Sequence, residues 1–354
     1  MTVVFAGGGT GGHLYPAIAI ADALRARAAT VAFIGSADRL ETTIVPNAGY
    51  PLYTIAAHSL PRGLSLRIFR AIAANVKGTM QSLGLLRAQR PDLVVATGGY
   101  VSFPVALAAR IRRLLRLSRA PLVLLEPNAS PGLTNRLLAP IVDEVWRSVP
   151  IRASLLRLPP RQDAAARLGL DASRKTLVAV GGSQGARAIN DALLRLASQS
   201  GVPAGWQLLH LTGETDYERV AAAYAACTEA RVVARAYLED MADAYAVADL
   251  LLTRAGASTL GELSVLGKPA IVVPYPFAAE GHQAANAARL AAAGAVVVLA
   301  DRDLPDALPA VLAQTTEPQR LAALSENAGR TQGSDPLVAI LARIDSLVPR
   351  RDER

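Results

Sequence analysis

A single cysteine, Cys227, stands among 354 residues, so neither a disulfide framework nor a multi-cysteine metal site is open to this chain. Histidine is nearly as scarce: His13, His58, His210 and His282 are the full set, and no two are spaced as a metal-binding pair. Charged residues account for 19% against 51% hydrophobic, a balance that excludes disorder and supplies ample core material. Long hydrophobic runs are missing as well. The longest, Leu290 to Ala300, falls short of the roughly 20 residues a membrane-spanning helix requires. The opening Met1-Thr2-Val3-Val4-Phe5-Ala6 lacks the basic region of a signal peptide and runs straight into glycines, so it reads as a strand. These absences lead to the expectation of a soluble, cytoplasmic protein.

What is present begins with charge. The net charge is +8, and its distribution is uneven. From Leu60 to Ala120 eleven basic residues face one acid, Asp92, so this stretch carries +10 and the remainder −2. Such an excess favours an anionic partner. Arg62, Leu64, Leu66, Arg67, Ile68, Phe69 and Arg70 mix basic and apolar side chains, as does Arg110-Ile111-Arg112-Arg113-Leu114-Leu115-Arg116. That mixture suits an anionic membrane leaflet. Nucleic acid is disfavoured, because no stacking aromatics interleave with the arginines. The competing reading is plain: Phe69, Ile72, Val76 and Met80 have helical spacing and would serve as ordinary core, with the arginines merely solvated.

At about 150 residues per domain, the length predicts two domains. Short β-rich runs alternate with helical stretches throughout, the pattern of parallel sheets covered by helices. Strands are expected at Val3–Ala6, Val31–Ile34, Leu52–Ile55, Leu93–Ala96, Leu122–Glu126 and Val142–Trp146 in the first half. The second half offers Leu177–Val180, Leu208–Leu211, Arg231–Ala234, Leu250–Thr253, Ile271–Pro274 and Val296–Leu299. The fold class is therefore α/β, with two doubly wound parallel-sheet halves. Pro150, Pro159 and Pro160 break the pattern near Ser148–Pro160 and place the boundary there. The division expected is 1–148, 149–330 and a C-terminal helix in 331–354 returning to the first domain.

Gly-rich turns follow the strands at which ligands bind in open parallel sheets. The first is Gly7-Gly8-Gly9-Thr10-Gly11-Gly12-His13, leading into an Ala-rich helix. Glycines let backbone N–H groups approach an anion, and the helix start adds a favourable dipole. Close strand–helix packing uses the same residues, so this turn alone decides little. Two more follow: Thr97-Gly98-Gly99-Tyr100-Val101-Ser102, and the loop from Glu126 to Asn135. In the second half come Gly181-Gly182-Ser183-Gln184-Gly185-Ala186, with Ser183 placed to bond a phosphate, the loop Arg254 to Glu262, and Glu280-Gly281-His282-Gln283-Ala284-Ala285-Asn286.

Dinucleotide binding fits poorly, since Ile34-Gly35-Ser36 stands where an acidic ribose partner belongs. Glu262 is the better acceptor for a ribose diol; alternatively it complements the dipole of its own helix. Asp301-Arg302-Asp303 is read as a helix cap at Asp303 and not as a Mg²⁺ pair. No metal or other cofactor is implied, because helix ends and arginine suffice to neutralise a leaving diphosphate.

Together these loops resemble the MurG family, the N-acetylglucosaminyltransferases that convert lipid I to lipid II. The resemblance runs in order through GGGTGGH, GGYVS, EPNASPGLTN, VGGSQGARAIN, the segment Tyr237 to Met241, RAGASTLGE and HQAANA. It implies the GT-B fold: two Rossmann-like domains facing across a cleft. It further implies UDP-N-acetylglucosamine as donor, a polyprenyl-diphosphate-linked lipid I as acceptor, and a peripheral location on the cytoplasmic face of the cell membrane.

Residue by residue, the resemblance sets Gly9, Thr10, Gly11 and Asn128 against the donor sugar, and Gly12, Gly98, Gly99 and Tyr100 against the acceptor diphosphate. Arg152 and Ser183 hold the UDP phosphates, Leu238 binds uracil through its backbone, and Gln283 reads sugar hydroxyls. Ala257, Ser258, Thr259, Leu260, Gly261 and Glu262 cradle phosphates and ribose, with Glu262 on the ribose hydroxyls. The implied chemistry is one inverting displacement, in which the acceptor's 4-hydroxyl attacks the anomeric carbon. His13, on a first-domain rim loop, is the candidate base; positioning substrate or capping its helix is the alternative.

Two features depart from the family pattern. The path from Trp146 to Arg152 is short and lacks the usual Gly-Asn before the proline, and Glu280-Gly281 replaces an Asp-bearing loop. Other readings on this fold are transfer to a different lipid, UDP-sugar 2-epimerisation, or a UDP-sugar-binding regulator without turnover.

Overall fold

The computed structural model describes residues 1–8, 11–59, 67–182, 185–199, 201–227, 231–278, 281–331 and 336–348. Two compact units emerge, and each carries a six-stranded, fully parallel sheet. The first sheet has β1 (Thr2–Gly7), β2 (Thr30–Gly35), β3 (Leu52–Thr54), β4 (Leu93–Gly98), β5 (Leu122–Leu125) and β6 (Glu144–Trp146), in the order β3-β2-β1-β4-β5-β6. The second has β7 (Lys175–Val180), β8 (Trp206–Leu211), β9 (Val232–Arg235), β10 (Leu250–Arg254), β11 (Ala270–Val273) and β12 (Val296–Val298), in the order β12-β11-β10-β7-β8-β9. Each order reverses direction once, between β1 and β4 and between β7 and β10.

Helices cover both faces of each sheet, which is why the central strands read as continuous apolar runs and not as alternating ones. The first unit carries α1 (Gly11–Arg25), α2 (Glu41–Asn47), α3 (Arg67–Gln89), α4 (Ser102–Leu114) and α5 (Leu133–Leu138). The second carries α6 (Arg161–Leu168), α7 (Arg187–Gln199), α8 (Tyr217–Ala225), α9 (Ala242–Val247), α10 (Ala257–Leu266), α11 (His282–Ala292), α12 (Leu304–Thr315) and α13 (Pro318–Arg330). The last helix, α14 (Pro336–Leu347), belongs to the first unit. Its Leu337, Ile340, Leu341 and Ile344 join Leu14, Ile18, Phe5 and Phe33 in one buried cluster, and Phe5 stacks on Phe33 at 5.1 Å. Arg27–Asp345 and Arg343–Glu144 ion pairs flank that contact.

The first unit runs to Arg152, four residues past the expected boundary at 148. The reason is local: Trp146 and Ile151 are buried, and the Arg152 guanidinium lies 5.0 Å over the Tyr15 ring of α1. The apolar run Leu290 to Ala300 divides between α11 and β12 at a turn through Gly294. Among the described residues, no helix is long and apolar enough to cross a membrane.

On α3 the structure decides between core and surface. Phe69, Ile72, Val76 and Met80 are 69%, 49%, 55% and 69% exposed, so the ordinary-core alternative fails for all four. Leu114, Leu115 and Leu117, at the end of α4, are exposed beside Arg112 and Arg116. Arg62, Leu64 and Leu66 lie outside the described residues.

Candidate functional site

At the switch point of the first sheet, β1 and β4 deliver the two glycine loops side by side, the position where open parallel sheets bind ligands. Gly9 and Thr10 lie outside the described residues. Gly11, Gly12 and His13 form the first turn of α1, where a helix presents its backbone donors. Gly98 and Gly99 have φ of 100° and 77°, a region other residues enter at a cost. A Cβ on Gly99 would sit 2.6 Å from the Gly8 carbonyl oxygen, and one on Gly98 would sit 2.8 Å from the His13 ring. Glycine is thus required for the two loops to touch and for His13 to lie against β4. The Ser102 hydroxyl fastens this corner, accepting from the Gly98 N–H at 3.0 Å and donating to the Ala6 carbonyl at 2.7 Å.

Two buried carboxylates stand behind the loops: Glu41, which the residue pattern did not announce, and Glu126, which opens the third loop. Glu41 accepts from the Ser36 amide at 2.9 Å and the Ser36 hydroxyl at 2.5 Å, and its carboxylate fills the space beside Gly8. Tyr100 donates to the Ser36 hydroxyl at 3.4 Å, and its phenol is the chief influence that raises the pKa of nearby Arg39. Arg39 therefore brings an exposed cation to the loop expected to meet a diphosphate. Glu126 accepts from the Asn128 amide at 2.8 Å, the Asn128 side chain at 3.1 Å and Asn135 at 2.7 Å. Asn128 is half-buried and held by that carboxylate.

The second unit repeats the geometry at β7 and β10. Ser183 lies outside the described residues, as does Glu280. Gly256 caps α10, and Ala257, Ser258, Thr259, Leu260, Gly261 and Glu262 make up its first turn and a half. Glu262 is half-buried, and one of its oxygens accepts from the Tyr245 hydroxyl at 2.5 Å, a partner that the surrounding apolar helix α9 had concealed. The Gln283 carbonyl oxygen accepts from the Ala255 and Tyr275 amides, at 3.2 Å and 2.9 Å, joining the loops after β10 and β11. Among the described residues the Gln283 amide nitrogen makes no hydrogen bond. Leu238 is half-buried in the loop between β9 and α9.

Beneath α7 lies a buried histidine. His210, 0% exposed, contacts the Tyr224 hydroxyl at 2.9 Å and the Asn190 carbonyl oxygen at 3.0 Å. Asn190 in turn donates to Thr212 O and Asp216. Desolvation lowers the His210 pKa to about 4 against a smaller opposing pull from Asp216. Asp216 is itself held at about 2, first by its hydrogen bond from Arg219.

Arg152 packs on Tyr15 within the first unit. One expectation changes. Asp303 occupies the N-cap position of α12 but has helical dihedrals and makes no capping bond; its neighbour Asp301 pairs with Arg254. Among the described residues no group of three His, Cys, Asp or Glu is arranged to hold a metal ion.

Comparison with known proteins places this geometry. The model of the glycosyltransferase family 28 N-terminal domain matches residues 3–146, and that of the family 28 C-terminal domain matches 176–337. A UDP-N-acetylglucosamine–N-acetylmuramyl-(pentapeptide) pyrophosphoryl-undecaprenol N-acetylglucosamine transferase from Chlorobium luteolum is 38% identical, covering 98% of this chain and 99% of the relative. The chain belongs to the MurG family of glycosyltransferases. A second relative of the same name, from Halothermothrix orenii, is 38% identical over 86% of this chain and 87% of its own length. The crystal structure of Acinetobacter baumannii MurG superposes with a TM-score of 0.76 at 27% identity, covering 98% of this chain and 99% of that one. The calicheamicin glycosyltransferase CalG4, at 15% identity and a TM-score of 0.66, shares the fold. The GT-B architecture of this MurG-family chain is thereby settled, and with it membership among hexosyl-transferring enzymes.

Proposed function

We propose that this chain transfers N-acetylglucosamine from UDP-N-acetylglucosamine to the 4-hydroxyl of the N-acetylmuramyl unit of lipid I, giving lipid II. The observation that carries the reading is near-complete coverage, at 38% identity, of relatives named for this reaction. Both glycine rims fit it chemically, because each sets backbone donors and a helix start where a diphosphate needs them. On the second rim, α10 takes the UDP phosphates at its N-terminus, Glu262 accepts from the ribose diol and the Gln283 amide donates to the sugar. Arg39, Gly98, Gly99 and Tyr100 on the first rim face the acceptor diphosphate. His13 removes the proton of the attacking hydroxyl as UDP departs, and the anomeric centre inverts in a single displacement. The leaving charge is met by amides and arginine, so no resident metal is required.

The acceptor carries a polyprenyl chain, and the exposed apolar stripe of α3 gives this chain a means to reach it. Burying a side chain such as Phe69 contributes about 1.5–3 kcal/mol. Each nearby Lys or Arg adds about 1 kcal/mol on an anionic leaflet. We place the protein peripherally on the cytoplasmic leaflet by this face.

The test is an assay with labelled UDP-N-acetylglucosamine, run with and without lipid I and beside UDP-glucose. Labelled lipid II that forms with the N-acetyl donor and resists a metal chelator is the expected result. Tight donor binding with no product, or conversion of the donor to its 2-epimer without acceptor, would overturn the reading.

A further inference from the structure

Beside the first rim lies a pocket of about 180 Å³, floored by Leu124 of β5 and Val145 of β6 and walled by Glu126, Asn135, Arg136 and Arg147. It is smaller than the roughly 300–1,000 Å³ of sites for drug-sized ligands, so it suits a short arm of a larger molecule. Asn135 joins it to the rim: a Cβ on Gly98 would lie 3.1 Å from the Asn135 amide nitrogen and 2.8 Å from the His13 ring. Whatever enters this pocket is therefore next to the loop read as binding the acceptor diphosphate.

Its polar chemistry is specific. The Glu126 carboxylate is occupied by Asn128 and Asn135, whereas two guanidinium groups share the same walls. Arg147 is exposed and makes no ion pair among the described residues, so the lining favours an anion. Asn135 is 3% exposed, its amide nitrogen is committed to Glu126, and its carbonyl oxygen is buried with no donor among the described residues. A buried acceptor of this kind calls for an N–H. The ligand wanted is one that carries an amide N–H and a carboxylate close together.

We propose that this pocket is a subsite for the peptide arm of the acceptor, with Asn135 accepting a peptide N–H and Arg136 and Arg147 holding a peptide carboxylate. The inference rests on the acceptor assignment above, since the lactyl-peptide of an N-acetylmuramyl unit springs from the carbon next to the reacting hydroxyl. It makes Arg147 and Arg136 determinants of acceptor choice and not of donor binding.

The experiment compares two polyprenyl-diphosphate acceptors, one bearing the pentapeptide and one with the lactyl carboxyl capped as a simple amide. Loss of charge-assisted hydrogen bonds in Arg147→Ala, and in the Arg136→Ala/Arg147→Ala pair, is expected to raise KM for the pentapeptide acceptor about tenfold. KM for the capped acceptor and the affinity for UDP should move less than about twofold, and Arg147→Lys should restore part of the loss. The unchanged UDP affinity also reports that the variants are folded. Equal KM changes for both acceptors, or none for either, would overturn the subsite. A wild-type enzyme that glycosylates neither acceptor would instead sink the functional reading beneath it.

Discussion

Behind the glycine loops of the first unit, Glu41 and Glu126 are 0% and 2% exposed, and both are engaged by neighbouring amides or hydroxyls. At the matching edge of the second unit, Glu262 is half-buried and shares an oxygen with one phenol, while Gln283 keeps its amide donors uncommitted to the backbone it ties. The strand order is the same in both, yet the acids do different work. In the first unit they hold backbone in place behind the glycine loops and His13. In the second, on the function proposed above, acid and amide side chains are themselves the ligand contacts. The difference teaches that sheet topology decides where a site forms, and that the burial of its carboxylates decides whether they build the site or use it.

The largest effect should come from His13. Replacing it with Ala is expected to lower kcat by about 10²–10⁴-fold while donor affinity stays within about twofold, measured by single-turnover transfer and UDP titration. Near-normal kcat would move the base off the first rim. The contrast between carboxylates comes next. Glu126→Ala strands three donors and should lose about 2–4 kcal/mol of stability in urea unfolding. Glu262→Ala should lose less than about 1 kcal/mol and weaken UDP binding about tenfold. Equal stability losses would dissolve the distinction between the two rims.

A third test uses pH and concerns the second unit. The folded pKa of His210 lies near 4, below its ordinary 6.5, so the unfolded chain takes up a proton first as pH falls. Stability contributed by the neutral imidazole is complete above pH 6.5 and drains away between 6.5 and about 4, by up to about 3 kcal/mol. Asp216, depressed to about 2, gives its own contribution above 3.8 and loses it only below that value. A urea midpoint that stays flat from pH 7 to 4.5 would contradict the buried neutral histidine. The smallest effect belongs to the membrane face: Phe69→Ala should reduce affinity for anionic vesicles about tenfold, with high salt removing much of the remainder. Equal binding to neutral vesicles would argue against charge as a contributor.

Much of the fold was legible because strands buried on both faces leave short apolar runs bounded by glycine. Each expected strand lies within about two residues of an observed one, the usual latitude at element ends. The glycine rims were legible for a related reason, since few residues tolerate the backbone that Gly98 and Gly99 adopt. Side-chain partners were not. Glu41 reads as an ordinary first-turn carboxylate until the fold sets it behind Gly8, and Tyr245 sits in a helix that looks like plain core. Helical spacing on α3 is identical for a core stripe and a bare one, so only exposure in the fold separates them. The contact of Arg152 with Tyr15 was not legible because the two residues are far apart in the chain.

The account stands or falls on where the nucleotide goes, and backbone hydrogen exchange with and without UDP reads this directly. UDP should slow exchange of the amides at 256–262 and near Leu238, and leave those at 98–103 unchanged. Protection at 98–103 with none at 256–262 would contradict it.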